Sequence, residues 1–108
     1  MSTIQNQVTD AESKDEMLLR PLDFALLDEL TEGRNVGANL HVLVDASSPY
    51  TLERLSQLAD YGLVRRVGPN ENVGLYEITP LGEAALAHRE EYGEVDDFEA
   101  LIEDAVEK

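Results

Sequence analysis

Residues 50–82 read YTLERLSQLADYGLVRRVGPNENVGLYEITPLG, and their hydrophobic pattern changes period partway along. Leu52, Leu55, Leu58 and Ala59 recur at helical spacing, and Gly62 follows as a stop. Leu63–Val67 and Leu75–Thr79 are short β-prone runs. Between them, residues 68–74 are rich in turn formers, among them Gly68, Pro69, Asn70 and Gly74, which predicts a hairpin. Thr79-Pro80 combines a helix cap with a first-turn proline. A further helix is expected from there through Leu81, Ala84, Ala85 and Leu86 to about Tyr92.

Upstream, Ser47 and Ser48 before Pro49 mark the start of the helix that ends at Tyr61. A helix over 36–45 is expected, capped by Asn35, with Val36, Leu40, Leu43 and Val44 on one side. Gly37 inside it points to close approach of another helix. Segment 21–32 reads as the first helix, with Pro21 and Asp23 in its opening turn and Phe24, Leu26, Leu27 and Leu30 on its apolar face. The chain thus divides into a flexible polar arm (1–19), a folded domain (20–92) and an acidic amphipathic C-terminal helix (93–108). The predicted class is mainly α with a small two-stranded β-hairpin.

Composition narrows the function. The chain has 108 residues, 43% of them apolar, enough for one small core. It has no Cys, which excludes disulfides, thiolate metal sites and Cys nucleophiles. No apolar run approaches the ~20 residues of a membrane span, and the polar start is unlike a signal peptide, so a cytoplasmic protein is expected. Asp and Glu total 23 against 8 Lys and Arg, for a formal net charge of −15. Only Lys14 and Lys108 are lysines. Dense carboxylates with few lysines fit a halophilic, salt-adapted protein, because in molar salt the Debye length falls to roughly 3 Å and screens the self-repulsion.

The order helix, helix, helix, strand, loop, strand, helix over residues 20–88 resembles a winged helix-turn-helix domain. The resemblance is carried by Tyr50-Thr51-Leu52-Glu53-Arg54-Leu55, Leu58-Ala59-Asp60-Tyr61-Gly62-Leu63-Val64 and Tyr76-Glu77-Ile78-Thr79-Pro80-Leu81-Gly82. These strings together are similar to the small repressor-like transcriptional regulators of halophilic archaea and their viruses. The resemblance implies a sequence-specific regulator of double-stranded DNA that represses by occupying a promoter. The stretch 68–74 would be its wing, which carries Glu71 and no Lys or Arg, a departure from many winged domains.

In such a module the second helix of the motif enters the major groove. Here that is helix 49–61. Opposite its leucines, an arc holding Tyr50, Glu53, Arg54 and Gln57 is the expected base-reading set. Arg54 has the fork for guanine, Gln57 the amide for adenine and Glu53 an acceptor for cytosine N4, while Tyr50 near the helix start can donate to a phosphate. Arg34, Arg65 and Arg66 are the expected phosphate contacts. Arg65 and Arg66 are neighbours on one strand and so point to opposite faces.

Val95, Phe98, Ile102 and Ala105 form a heptad-spaced seam widened by Leu101. Two arrangements satisfy it: packing onto its own domain, or pairing with a second copy, and these residues are the candidates for a homodimer interface. His41 and His88 lie far apart with no Cys or third His, and the acidic pairs Asp96-Asp97 and Glu90-Glu91 belong to solvated charge runs. No nucleotide-binding or nucleophile motif occurs, so no enzyme activity, cofactor, metal ion or membrane contact is expected. A protein-interaction module that binds a protein partner and no DNA is the rival reading, supported by the charge and the cation-free wing.

Overall fold

Caps and left-handed glycines set the limits of the elements. A computed structural model describes residues 17–68 and 74–107. In chain order it contains α1 (Pro21–Leu30), β1 (Asn35–Val36), α2 (Gly37–Leu43), α3 (Ser48–Asp60), β2 (Val64–Val67), β3 (Leu75–Ile78), α4 (Pro80–Ala87) and α5 (Phe98–Glu107). A 3-10 turn at Arg89–Glu91 lies between the last two helices. The chain is mainly helical with a small antiparallel sheet. No helix among the described residues is long and apolar enough to cross a membrane. The arm up to residue 16 and the loop tip at 69–73 lie outside the described residues.

The sheet has three strands where two are expected, in the order β1-β3-β2. β2 and β3 form the expected hairpin, with Val64 opposite Ile78 and Arg65 opposite Glu77. The third strand is Asn35–Val36, paired with Tyr76 and Leu75. Asn35 is therefore not a helix cap. Val36 is extended (φ −100°, ψ 154°), as suits a β-branched residue, and α2 starts only at Gly37. Gly37 is buried, and a Cβ there would lie 2.6 Å from Leu52 Cδ2, so the close approach expected at this glycine is present.

The joint between α3 and the sheet explains the strings around Gly62 and Thr79. Leu63 N–H donates to the Leu58 carbonyl and Gly62 N–H to the Ala59 carbonyl. With Gly62 at φ 84°, this is a Schellman ending that folds buried Leu63 onto buried Leu58. Thr79 locks the same corner: its N–H donates to the Leu63 carbonyl, its hydroxyl donates to the Gly62 carbonyl at 2.6 Å, and that oxygen accepts from Gly82 N–H. Gly82 lies directly on the Leu63 carbonyl, where a Cβ would collide with backbone. Gly82→Ala is expected to destabilise by about 1–3 kcal/mol through this overpacking, read as a lower denaturation midpoint. A midpoint at or above that of the parent would contradict the tight corner.

The core gathers Leu26, Leu27 and Leu30 of α1, Leu40 of α2, Leu55 and Leu58 of α3, Leu63 of the joint after α3, Val64 and Tyr76 of the sheet, and Ala85, Phe98 and Ile102 beyond it. Met17 and Leu19 are buried too, so the expected flexible arm is fixed at its inner end. Leu19 N–H donates to the Tyr92 hydroxyl at 2.8 Å, and Leu18 N–H to that of Tyr61 at 3.0 Å. α4 ends at Ala87 rather than running to Tyr92. Tyr92 leaves the helix with extended backbone, and its ring meets Phe24 and Phe98 edge-on at centroid distances of 5.8 and 5.2 Å. α5 begins at Phe98, five residues later than expected, where Asp97 Oδ1 accepts from Ala100 N–H.

Candidate nucleic-acid interface

α3 starts on Ser47, whose hydroxyl accepts from Tyr50 N–H. Its buried side carries Thr51, Arg54, Leu55 and Leu58. At about 100° per residue, the centre of that face is turned by about 60° from the one the leucines suggest. Leu52, expected inside, sits at the rim and is 45% exposed. Arg54, expected outside, is only 7% exposed. The outward side presents Pro49, Glu53, Ser56 and Asp60, flanked by exposed Tyr50 and half-buried Gln57.

Arg54 is thus corrected from a base reader to a buried structural cation. Its Nε donates to Asp23 Oδ1 at 2.9 Å and its Nη2 to Asp23 Oδ2 at 2.8 Å. Nη2 also reaches the Leu18 carbonyl at 3.3 Å. Asp23 is fully buried, and its Oδ2 accepts a third hydrogen bond from Arg20 N–H at 2.7 Å. Hydrogen bonding to Asp23 outweighs desolvation and raises the Arg54 pKa further above its ordinary value. The Nε–Nη2 edge of the fork is taken by Asp23 and the side chain is buried, so guanine recognition is closed to it. Arg54 is the only cation of α3, which leaves the outward face with Glu53, Asp60 and neutral groups.

The remaining expected cations collect on the sheet. Arg65 Nε donates to Glu77 Oε1 at 2.7 Å, and Arg34 Nε donates to Glu77 Oε2 at 3.3 Å. Arg66 lies over the Tyr76 ring, 5.4 Å from its centroid, and donates to the Tyr76 hydroxyl. Because Arg65 faces Glu77 and Arg66 faces Tyr76 across the strands, the two neighbours do point to opposite faces. Both are nonetheless exposed. The loop tip with Asn70, Glu71 and Asn72 lies outside the described residues.

The C-terminal seam is used by its own chain. Phe98 and Ile102 are buried, Leu101 and Ala105 are half-buried, and α5 packs on α4. Of the candidate dimer residues only Val95 stays exposed. His41 Nδ1 lies 3.1 Å from the Ala46 carbonyl, and His88 sits 3.6 Å from Glu91. Among the described residues no group of three His, Asp or Glu is placed to hold a metal ion.

Two acidic partners of the arginines escape the sequence reading. Asp23 shares the i, i+3, i+4, i+7 stripe with Leu26, Leu27 and Leu30, which is a signal of burial. Glu77 falls opposite Arg65 once the hairpin register is known. Comparison with protein-family models, with curated proteins and with solved structures finds no match to the chain.

Proposed function

We propose that the chain is a DNA-binding transcriptional regulator with a winged helix-turn-helix domain, a repressor that occupies double-stranded DNA through the outward face of α3. The observation that carries this reading is the order α1-β1-α2-α3-β2-β3 with sheet order β1-β3-β2. It leaves a 13-residue helix with a polar outer face beside a sheet bearing three exposed arginines. Glu53 and Gln57, with Tyr50 at the helix start, read base edges. Arg34, Arg65 and Arg66 meet phosphates. Three arginines at the backbone give a salt slope no steeper than about −3. Two carboxylates facing the groove take up cations on binding, which flattens that slope, so the protein works in concentrated salt as a cytoplasmic halophilic regulator.

Selection from a random duplex pool in molar KCl tests this. A single enriched motif is expected. Gln57→Ala should lose preference at one base pair, at a cost of about 1–3 kcal/mol, and keep it elsewhere. A pool that stays random would reject the reading.

A second reading has its own observation: Val42, Leu43 and Leu52 on α2 and α3 are 67%, 53% and 45% exposed. An apolar rim beside an acidic helix suits a protein partner. Failure of the selection favours this module.

A further inference from the structure

The three-stranded sheet does something with its charges that neither the helix nor the composition announces. β3 is the middle strand, so Glu77 on it has a neighbour on each side. Arg65 faces it from β2, and Arg34 reaches it from the residue just before β1. One carboxylate oxygen takes each arginine, and both arginines use Nε–H. Among the described residues no acceptor meets their terminal Nη groups. The side chains are 56% and 65% exposed, against 25% for Glu77. Two guanidinium forks are therefore tethered by their inner edges and turned outward by their free ends.

Two cations held this close repel one another, and one carboxylate between them offsets that repulsion while fixing both planes. The assembly carries a net charge of +1. Planar forks match the tetrahedral edge of a phosphate, and each Nη end has donors to spare. Glu77 has a pKa lowered mainly by the Arg65 hydrogen bond, so it stays ionised below the usual carboxylate range and keeps the bridge intact at working pH.

We propose that Glu77 is a positioning residue that joins Arg34 and Arg65 into one clamp for a single backbone phosphate of DNA. The assignment to DNA rests on the function proposed above. Glu77 does two opposed things in it. It removes one unit of positive charge, which weakens long-range attraction, and it orients two forks, which strengthens contact at short range. Salt separates these effects, because screening suppresses the first and leaves the second.

Two measurements on the full chain test the clamp. The first is the side-chain Nε–H resonances of Arg34 and Arg65 during titration with inorganic phosphate. Both should shift together with one midpoint, and Glu77→Gln should uncouple them. Absence of shift at either would overturn the clamp whatever DNA does. The second is duplex binding by Glu77→Gln across KCl concentrations, with circular dichroism to establish that the variant is folded. One extra net cation should steepen the slope by about 0.9, or roughly eightfold in affinity per tenfold change in salt. The variant should bind more tightly than the parent in dilute KCl and more weakly in molar KCl. Arg34→Gln, a second variant at the surface, should flatten the slope by a similar amount. Duplex binding with an unchanged slope in Glu77→Gln would overturn the clamp alone. Joint phosphate shifts with no duplex bound at any salt would instead overturn the DNA reading and the assignment to DNA with it.

Discussion

Arg54→Ala is expected to lose about 3–5 kcal/mol of stability, a large share of what a domain of this size has. The substitution strands Asp23, a fully buried carboxylate that receives two of its three hydrogen bonds from Arg54. It also releases the Leu18 carbonyl, and so loosens the N-terminal segment that crosses α3. Asp23→Ala should cost a similar amount, for the mirror-image reason. Replacing both by leucine should cost far less than the sum of the two, because no unpaired charge remains. Urea denaturation of the parent, the two single alanine variants and the double leucine variant in one buffer gives all the losses, and adding the Arg54→Ala, Asp23→Ala double closes the cycle. A loss below about 1 kcal/mol for Arg54→Ala, as for an exposed pair, would contradict the burial. Arg54→Ala would also abolish any ligand binding by damaging the fold, so a binding defect in that variant says nothing of base contact.

Phe98→Ala is the second large effect, at about 3–5 kcal/mol. Phe98 is 6% exposed and packs edge-on against Tyr92. Tyr92 in turn meets Phe24 and accepts from Leu19 N–H, so the cavity opens where α5, α1 and the N-terminal segment converge. Because this packing lies within one chain, the loss should be the same at every protein concentration, as should the melting temperature of the parent. A seam between two copies would make both depend on concentration. Thermal melts over a wide dilution series distinguish these outcomes, and amide exchange at Leu19 should accelerate in the variant.

Element order and turn chemistry were legible because short-range signals fix them. Ser47 and Gly62 act on backbone groups within a few residues, as does Thr79 where it caps α4 at Gly82. The third strand was not legible, since two residues, Asn35 and Val36, carry no period and only β3 makes them a strand. The face of α3 was misjudged for a different reason. Leucine spacing set its centre between Leu55 and Ala59 with Leu52 inside the arc, but Leu52 lies at the rim against Gly37, and Arg54 is paired inside by an acid 31 positions away. Long-range pairing of this kind has no local trace beyond Asp23 standing in a leucine stripe. For the C-terminal seam, spacing identified buried positions and left open what buries them; Phe98 and Ile102 are covered by their own chain.

The outward face of α3 as a DNA-reading surface is tested most directly by fluorescence anisotropy with labelled duplex fragments, including the DNA upstream of the protein's own gene. KCl is carried from dilute to molar, with the parent beside a Glu53→Ala, Gln57→Ala variant whose melting temperature is measured in parallel. The expected result is saturable binding that favours some fragments, survives into molar KCl with a slope of about −3 or shallower, and is lost in the folded variant. Absence of selective binding at every salt concentration, or equal binding by parent and variant, would contradict it.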